Sequence, residues 1–426
     1  MSFSTLLIRL GIFLLILFFI DLYALSGIKA FASSFDSEKT RKLIIYFYWG
    51  ISVAFLIVFL YTLLTYNAAT GPRGSSFKWL SILMVLIWLP KLVFCIFLLF
   101  EDVFRLWHAI SVFVFDKMGW EAQGETEYFE SRRKVVSQIG LAIAAIPFLS
   151  VLYGVTKGKY NFKVHNVTLL LKDLPVQFDG FTITQISDVH SGSFDSREDI
   201  ERGIELINEQ KSDIVLFTGD LVNNLASEFD PWVDVFKKIE APLGKYSSIG
   251  NHDYGEYIPW PNEEAKEANF KALQDQHDKM GFKLLMNENL VFTRKNEQIA
   301  LMGVENWGLP PFPQRGDLEL ANKGLRNDMF RILMSHDPSH WDAKVLPFRE
   351  KIHLTLSGHT HGMQFGIEIP GFFKWSPVKY KYPRWADLYQ EKDQYLYVNR
   401  GFGFLGFAGR IGIWPEITKI TLKAAV

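Results

Sequence analysis

The sequence has a single cysteine, Cys95, and almost no net charge. A lone thiol cannot form an internal disulfide, so no disulfide framework holds this fold together. The 45 lysines and arginines nearly balance the 46 aspartates and glutamates, which gives a formal net charge of -1. Proteins that bind nucleic acid usually present a strongly basic surface. The composition therefore gives no signal for a nucleic-acid partner.

Apolar residues are abundant, and they are concentrated in the first third of the chain. Hydrophobic residues make up 49% of the sequence. A helix needs about 20 apolar residues to cross a bilayer, and four runs approach or exceed that length, at about 7–27, 43–66, 79–100 and 135–155. We therefore predict an integral membrane protein whose residues 1–155 form a four-helix transmembrane region.

Charged residues within and between these runs leave alternatives open. A cleaved signal peptide is the rival for the first run, but the length of that run and its charged residues Arg9 and Asp21 favour a membrane helix. These two residues and Lys91 either pair or reach the interface, or they mark a path for a transported ion and a separate transport function. The charged segment 101–134 is predicted to lie along the membrane surface or to cap the bundle.

The residues before the fourth run bear on orientation. The stretch "ESRRKVVSQIG" places Arg132, Arg133 and Lys134 directly before the apolar residues. It resembles a twin-arginine export signal, and it also fits an ordinary anchor with its positive side in the cytoplasm. Both interpretations predict a bacterial inner or plasma membrane protein with residues 156–426 outside the cytoplasm.

From about residue 160, short β-rich runs alternate with charged, helix-like segments. This alternation indicates a second, α/β domain over residues 156–426, with connections too varied for a simple doubly wound sheet. Ser196, with Asp199 three residues later, predicts a helix N-terminus. The predicted strands are 181–187, 213–219, 246–250, 299–304, 331–335, 352–357, 395–399 and 417–422.

Five polar clusters follow these predicted strands directly. They read "SDVH", "TGDLVNN", "GNHDYG", "MSHDP" and "SGHTHG", and they contain five of the ten histidines. The carboxyl ends of strands are where open α/β sheets place their sites. The candidate site residues are Asp188, His190, Asp220, Asn251, His252, His336, His359 and His361.

The residue types in these clusters predict a metal site. Carboxylate, imidazole and amide donors without thiolates suit divalent Mn, Fe or Zn. Side chains two apart in an extended segment share a face, which predicts that Asp188 and His190 hold one ion together. Gly358 and Gly362 flank His359 and His361, which favours a loop in which each ring turns to a different ion.

The clusters, in this order, resemble the signature of the calcineurin-like metallophosphoesterases: D-x-H, G-D, G-N-H-D/E, a lone H and G-H-x-H. The resemblance covers about 160–426, and within the superfamily the chain looks most like membrane-anchored bacterial phosphoesterases. It implies an α/β fold, a sandwich of two mixed sheets flanked by helices, after the N-terminal transmembrane bundle. It also implies two divalent metal ions, which clamp an in-line phosphoryl displacement.

The resemblance assigns a role to each candidate residue. One ion is implied at Asp188, His190 and His361, the other at Asn251, His336 and His359, with Asp220 as the bridge. His252 would face the substrate and stabilise charge or protonate the leaving oxygen. Several relatives orient this histidine with a carboxylate where this chain has Asn223. The amide of Asn223 is expected to orient the ring still, but it stabilises the imidazolium less, which weakens the acid role. Asp253 is then either a substitute acid or a turn residue.

Two aromatic and basic stretches, 306–316 and 371–385, belong neither to the apolar membrane runs nor to the polar clusters that follow strands. They predict either a loop rim that enters the membrane interface or a packed cover over a sheet edge. Taken together, the sequence predicts a membrane-anchored phosphoesterase that hydrolyses a phosphodiester or pyrophosphate-linked substrate, with a membrane lipid as one candidate. The alternative is a ligand-binding sensor or transporter-like membrane protein whose phosphoesterase domain binds a ligand without hydrolysing it.

Overall fold

The computed structural model describes residues 3–65, 75–118, 126–369 and 371–425. Contacts divide the chain into two compact units, one reaching Tyr153 and the other beginning at Gly154. Within the described ranges, the first unit contributes four helices long and apolar enough to cross a membrane, as the sequence predicts. They are α1 (Phe3–Ala32), α2 (Glu38–Leu64), α3 (Ser75–Lys117) and α4 (Thr126–Thr156).

Helix α3 is much longer than the apolar run that predicts it. It continues without a break to Lys117, through Pro90. Residues 101–117 are therefore part of α3, because the amphipathic pattern there extends an existing helix. Their position along the membrane surface or over the bundle stays a prediction. Residues 119–125 of the segment 101–134 lie outside the described residues.

Polar groups inside the helical unit pair with one another. Lys91 Nζ lies 2.5 Å from Asp21 Oδ1 and 2.8 Å from Ser52 Oγ, and the Tyr48 hydroxyl donates to Asp21. An intramembrane charge is costly unless it is paired, so this arrangement satisfies both charges within the bundle. Arg133, one of the two arginines before the fourth apolar run, contacts Glu101 of α3.

The second unit is built from helices and strands in alternation. Its helices are α5 (Arg197–Glu209), α6 (Val233–Phe236), α7 (Glu263–Lys279) and α8 (Leu318–Ala321). The side chain of Ser196 accepts a hydrogen bond from the Asp199 amide at the start of α5, as the sequence predicts. The strands are β1 (Lys163–Leu171), β2 (Thr182–Ile186), β3 (Ile214–Phe217), β4 (Lys245–Ser247), β5 (Lys283–Leu284), β6 (Glu288–Arg294), β7 (Glu297–Gly303), β8 (Phe330–Met334), β9 (Leu354–Ser357), β10 (Ile367–Ile369), β11 (Phe373–Trp375), β12 (Asp387–Glu391), β13 (Gln394–Val398) and β14 (Glu416–Ala424).

These strands form two six-stranded mixed sheets and a separate hairpin. The first sheet has the order β1-β14-β2-β3-β4-β5, the second has the order β12-β13-β9-β8-β7-β6, and β10 pairs with β11. In the first sheet β2, β3, β4 and β5 are parallel neighbours, and in the second β7, β8, β9 and β13 are. Antiparallel pairs occur in both sheets.

One hydrophobic core joins the two sheets. Ile183 and Leu216 of the first sheet lie in the same buried cluster as Ile332 and Leu356 of the second. Burial of apolar side chains between two sheet faces is what holds a sandwich together. The predicted α/β sandwich is confirmed, and each of the eight predicted strands is present.

Candidate metal centre

The polar clusters lie where the parallel strands of both sheets end. Strands β2, β3 and β4 end at Ile186, Phe217 and Ser247, and strands β8 and β9 end at Met334 and Ser357. Each is followed within two to four residues by a candidate ligand. Carboxyl ends of parallel strands meet at one edge of a sheet. Two sheets therefore contribute side chains to a single site.

The backbone at these residues is not extended. The φ angles are positive at Asp188 (52°), His190 (47°), Asp220 (61°), His359 (71°) and His361 (50°). Left-handed backbone is uncommon outside glycine and clusters at functional sites. The prediction that strand alternation places Asp188 and His190 on one face is wrong in its reason, since β2 ends before both. They reach the site through left-handed turns.

The first group of candidate ligands contains Asp188, His190 and His361. Their ligand atoms lie within 4.8 Å of one another, and all three residues are buried. His361 Nε2 lies 3.3 Å from Asp188 Oδ1. The rings of His190 and His361 have centroids 4.9 Å apart.

The second group contains Asp220, His336 and His359, whose ligand atoms also lie within 4.8 Å of one another. His336 Nε2 lies 3.1 Å from Asp220 Oδ2. Asn251 Oδ1 lies 2.8 Å from His359 Nδ1 and adds an amide oxygen. Asn251 Nδ2 donates to the Tyr257 hydroxyl, which fixes the direction of that oxygen.

Asp220 connects the two groups. Its Oδ2 atom is also 3.5 Å from His190 Nε2 of the first group. His336 in turn has its Nε2 atom 4.0 Å from Asp188 Oδ1. The seven residues therefore form one continuous cluster with a carboxylate at its middle.

Unsatisfied ring nitrogens show that the cluster fits metal ions. Both ring nitrogens of His190 and Nε2 of His361 are buried without a hydrogen-bond partner. A buried polar atom without a partner is costly, and coordination of a cation removes that cost. The donor set, made only of nitrogen and oxygen, is the one that divalent Mn, Fe and Zn accept.

Electrostatics favour the metal-binding protonation state at most of these residues. Burial lowers the pKa of His190 to about 3 and that of His359 to about 4, and it holds the pKa of His361 well below its usual value. The pKa of Asp220 lies well below its usual value because His336 and His252 outweigh its burial. The resulting neutral imidazoles and ionised carboxylate are the forms that bind metals.

The pKa values of His336 and Asp188 are raised, unlike the pKa values of the other candidate histidine ligands and of Asp220. Burial disfavours the His336 imidazolium, but Asp220 and Asp188 outweigh it and raise the pKa of His336 to about 10. Burial raises the pKa of Asp188 to about 6. A cation would take the place of the His336 proton between the same carboxylates.

Further residues hold the candidate ligands in place. His336 Nδ1 donates to the carbonyl of Thr218 at 2.7 Å, which leaves Nε2 free to bind. The Tyr382 hydroxyl lies 2.8 Å from His359 Nε2 and donates to Asp337 Oδ2 at 3.4 Å. Hydrogen bonds of this kind fix the tautomer and orientation of metal-binding histidines.

Sequence reasoning misses Tyr382 and Asp337. Asp337 directly follows His336 in "MSHDP", so its position carried a signal. Tyr382 is 23 residues from His359, and only the tertiary fold brings the two together.

Two glycines allow the strand ends to approach closely. A Cβ atom at Gly250 would lie 2.2 Å from Asp220 Oδ1, and one at Gly358 would lie 2.2 Å from Asp188 Oδ2. Atoms cannot approach so closely without displacement. Any larger residue at either position would move a candidate ligand.

His252 adjoins the cluster, but its ring is held by the main chain. Nδ1 donates to the carbonyl oxygen of Asn223 at 2.8 Å. The expectation that the Asn223 side chain orients this ring is wrong, because that side chain contacts Ser193 instead. Since a carbonyl oxygen can only accept, the proton of the neutral ring stays on Nδ1 and Nε2 is the unprotonated nitrogen.

Asp253 has a structural role. Its two carboxylate oxygens accept hydrogen bonds from the amides of Asp220, Leu221 and Gly250. The side chain is buried. The turn role that the sequence left open is therefore the one observed, and it joins the loops after β3 and β4.

The segment 371–385 has a buried part and an exposed part, and entry of the exposed part into the membrane interface stays a prediction. Tyr382 and Trp385 are buried in a cluster with Ile413, as a packed segment requires. The hairpin of β10 and β11 leaves Phe372 86% exposed, and Tyr380, which follows the hairpin in the sequence, is 78% exposed. Ile367 and Ile369 are about half exposed on the same hairpin.

Comparisons with known proteins cover both units. Residues 4–159 match the family described as "Probable Calcineurin-like phosphoesterase, transmembrane domain", and residues 181–363 match "Calcineurin-like phosphoesterase". The metallophosphoesterase YkuE of Bacillus subtilis is 32% identical over 254 residues, which is 59% of this chain and 82% of that protein.

Two further relatives come from an animal and a bacterium. The zebrafish (Danio rerio) "Transmembrane protein with metallophosphoesterase domain" is 30% identical over 69% of this chain and 63% of its own length. The phosphodiesterase YaeI of Escherichia coli is 26% identical over 68% of this chain and 99% of its own length. Together with the two-sheet sandwich and the buried ligand cluster, these matches show that the chain belongs to the calcineurin-like phosphoesterases, a family of metal-dependent hydrolases, and carries a four-helix transmembrane domain.

Proposed function

We propose that this protein is a membrane-anchored phosphoesterase that uses two divalent ions to hydrolyse phosphodiester or pyrophosphate-linked substrates. The observation that supports it is the position of Asp220, whose Oδ2 atom is 3.1 Å from His336 and 3.5 Å from His190. One carboxylate between two groups of donors is what a pair of bridged ions requires.

The proposal assigns the candidate ligands to two ions. Asp188, His190 and His361 would hold one, and Asn251, His336 and His359 would hold the other, with Asp220 shared. When bound, the ions supply Lewis acidity to the phosphoryl group and to the attacking water. The chain itself keeps the imidazoles of His190 and His359 neutral through burial, and it fixes the ring of His336 through Thr218.

His252 is the proposed acid for the leaving group. Its Nδ1 proton is held by the carbonyl of Asn223, so protonation occurs at Nε2. An imidazolium in this position stabilises charge on the phosphoryl oxygens and donates its Nε2 proton to the leaving oxygen. Phosphodiesters release an alkoxide or phenoxide, which benefits from that proton.

The membrane anchor and the exposed hairpin support a lipid as the substrate. The transmembrane helices keep the catalytic unit close to a bilayer. Phe372, Ile367 and Ile369 expose apolar surface on the hairpin, and such side chains partition into the membrane interface. We place the catalytic unit on the extracytoplasmic side of a bacterial inner or plasma membrane, on the basis of Arg132, Arg133 and Lys134 before the fourth apolar run.

The test uses the full chain purified in detergent. Metal is removed by chelation, and hydrolysis of bis(p-nitrophenyl) phosphate is measured before and after manganese is restored. We expect restored hydrolysis in the natural protein and at least about a thousandfold loss in Asp220→Asn, since the shared carboxylate is removed. A folded, metal-loaded protein without phosphodiesterase activity would favour the ligand-binding alternative.

A further inference from the structure

A cavity of about 400 Å³ lies beside the candidate metal centre. Its walls include Leu309, Pro310, Pro338, Lys381 and Tyr382. Tyr382 belongs to both places, because its hydroxyl is 2.8 Å from His359 Nε2. A substituent on a phosphate held at the metal centre therefore has a space to enter on the side of His359.

The cavity has one cation that no carboxylate neutralises. Arg384, which also lines it, is paired with Asp342 and Glu391 at 3.0 Å. Within the part of the chain that the structure describes, no carboxylate oxygen lies within 4.0 Å of Lys381 Nζ.

One aromatic ring, Phe312, links Lys381 to the candidate metal centre. Its Nζ atom lies 4.9 Å from the centroid of the Phe312 ring. The Phe312 and His359 rings are nearly perpendicular, with centroids 4.7 Å apart. Cation–π contact holds an ammonium group in place while leaving its hydrogens available to a ligand.

We infer that Lys381 and this cavity bind an organic substituent that carries an anionic group in addition to the scissile phosphate. The inference rests on the proposed function and deepens it. The apolar walls of Leu309, Pro310 and Pro338 accept the organic part, and Lys381 accepts a carboxylate or a second phosphate by a charge-assisted hydrogen bond. Inorganic pyrophosphate would leave the apolar walls uncovered.

Two diesters of matched size test the inference. One is bis(p-nitrophenyl) phosphate, and the other replaces one nitrophenyl group with 4-carboxyphenyl. In the full chain, we expect Lys381→Ala to lower kcat/KM for the carboxylate diester, relative to the neutral diester, by about tenfold through KM, because a charge-assisted hydrogen bond is lost. Lys381→Arg should keep the preference, and Lys381→Glu should reverse it.

Lys271→Ala, which removes an exposed lysine from α7, is the matched control and should leave the ratio unchanged. Equal effects of Lys381→Ala on the two diesters would overturn the inference while leaving the phosphodiesterase proposal intact. If neither diester is hydrolysed, binding of 4-carboxyphenyl phosphate and phenyl phosphate is compared by calorimetry. A carboxylate advantage that Lys381→Ala abolishes supports the inference without turnover, and equal binding overturns it.

Discussion

His252 donates its Nδ1 proton to the main-chain carbonyl of Asn223 at 2.8 Å. The ring is therefore oriented without a carboxylate partner, and Nε2 is the nitrogen available to the substrate. The amide side chain of Asn223 supplies no negative charge to stabilise an imidazolium, and the main chain alone orients the ring.

The acid role of His252 predicts a dependence on the leaving group. His252→Gln should reduce kcat for a phenyl diester by about a hundredfold or more, and it should reduce kcat for a p-nitrophenyl diester much less, because p-nitrophenolate leaves without protonation. Metal content should be unchanged. His165→Gln on β1 is the control, and equal losses for both leaving groups would assign His252 to charge stabilisation alone.

The Tyr382 hydroxyl predicts a change in metal affinity. Tyr382→Phe keeps the ring but removes the hydroxyl beside His359 Nε2, so the affinity for manganese should fall about tenfold. Isothermal titration of the metal-free chain measures this. Tyr380→Phe, which alters an exposed neighbour, should change nothing, and unaltered affinity in Tyr382→Phe would show that the hydroxyl does not support the ligand.

A buried ion pair predicts acid sensitivity of the catalytic unit. Glu416 on β14 of one sheet accepts from Arg400, which follows β13 of the other, at 2.7 Å. Burial opposes the charged carboxylate, but Arg400 outweighs it and lowers the pKa of Glu416 below its ordinary 4.5. A lowered carboxyl pKa stabilises the fold above pH 4.5, and this contribution is lost as the pH falls below that value.

Glu416→Gln should therefore reduce the free energy of unfolding at pH 7 by about 3 kcal/mol. It should also make stability fall less steeply as the pH becomes acidic, a decline termed the acid limb. Thermal melting of the natural chain and the variant between pH 7 and pH 3 tests this. Glu205→Gln on the exposed side of α5 is the control. An acid limb of the same slope in Glu416→Gln would exclude this pair as its source.

The exposed hairpin predicts a difference between lipid and soluble substrates. Replacing Ile367, Phe372 and Phe373 with serine should lower hydrolysis of a phosphodiester lipid in vesicles by about fivefold or more, because the apolar contact with the interface is lost. Hydrolysis of bis(p-nitrophenyl) phosphate in solution serves as the internal control. A parallel loss on both substrates would indicate a folding defect, and no loss on vesicles would remove the hairpin from lipid recognition.

Residue order predicted more of the site than of its surroundings. The clusters "SDVH" and "SGHTHG" carry their chemistry in adjacent letters, so their ligand types and approximate place were readable. The left-handed backbone at Asp188 and His190 was not readable from the sequence. Side-chain alternation applies only within a strand, and β2 ends at Ile186, before both residues. The contacts of Tyr382 with His359 and of Glu416 with Arg400 join distant segments, and no local pattern encodes them.

Strands at the edges of the fold were also not predicted from the sequence. Strand β6 and the hairpin strands lack the strong apolar run of β3 or β8, since one or both of their faces are exposed. Their pairing is decided by neighbours rather than by composition. Helix α3 was shortened in the prediction because Glu101 and Asp102 interrupt its hydropathy, although both charges are paired with Arg133.

We propose that Asp220 joins two metal ions. The most direct measurement is a manganese titration of the metal-free full chain, followed by electron paramagnetic resonance. We expect two bound ions per chain with an exchange-coupled spectrum, and we expect loss of the coupling in Asp220→Asn. Saturation at one isolated ion per chain, with an uncoupled spectrum, would contradict it.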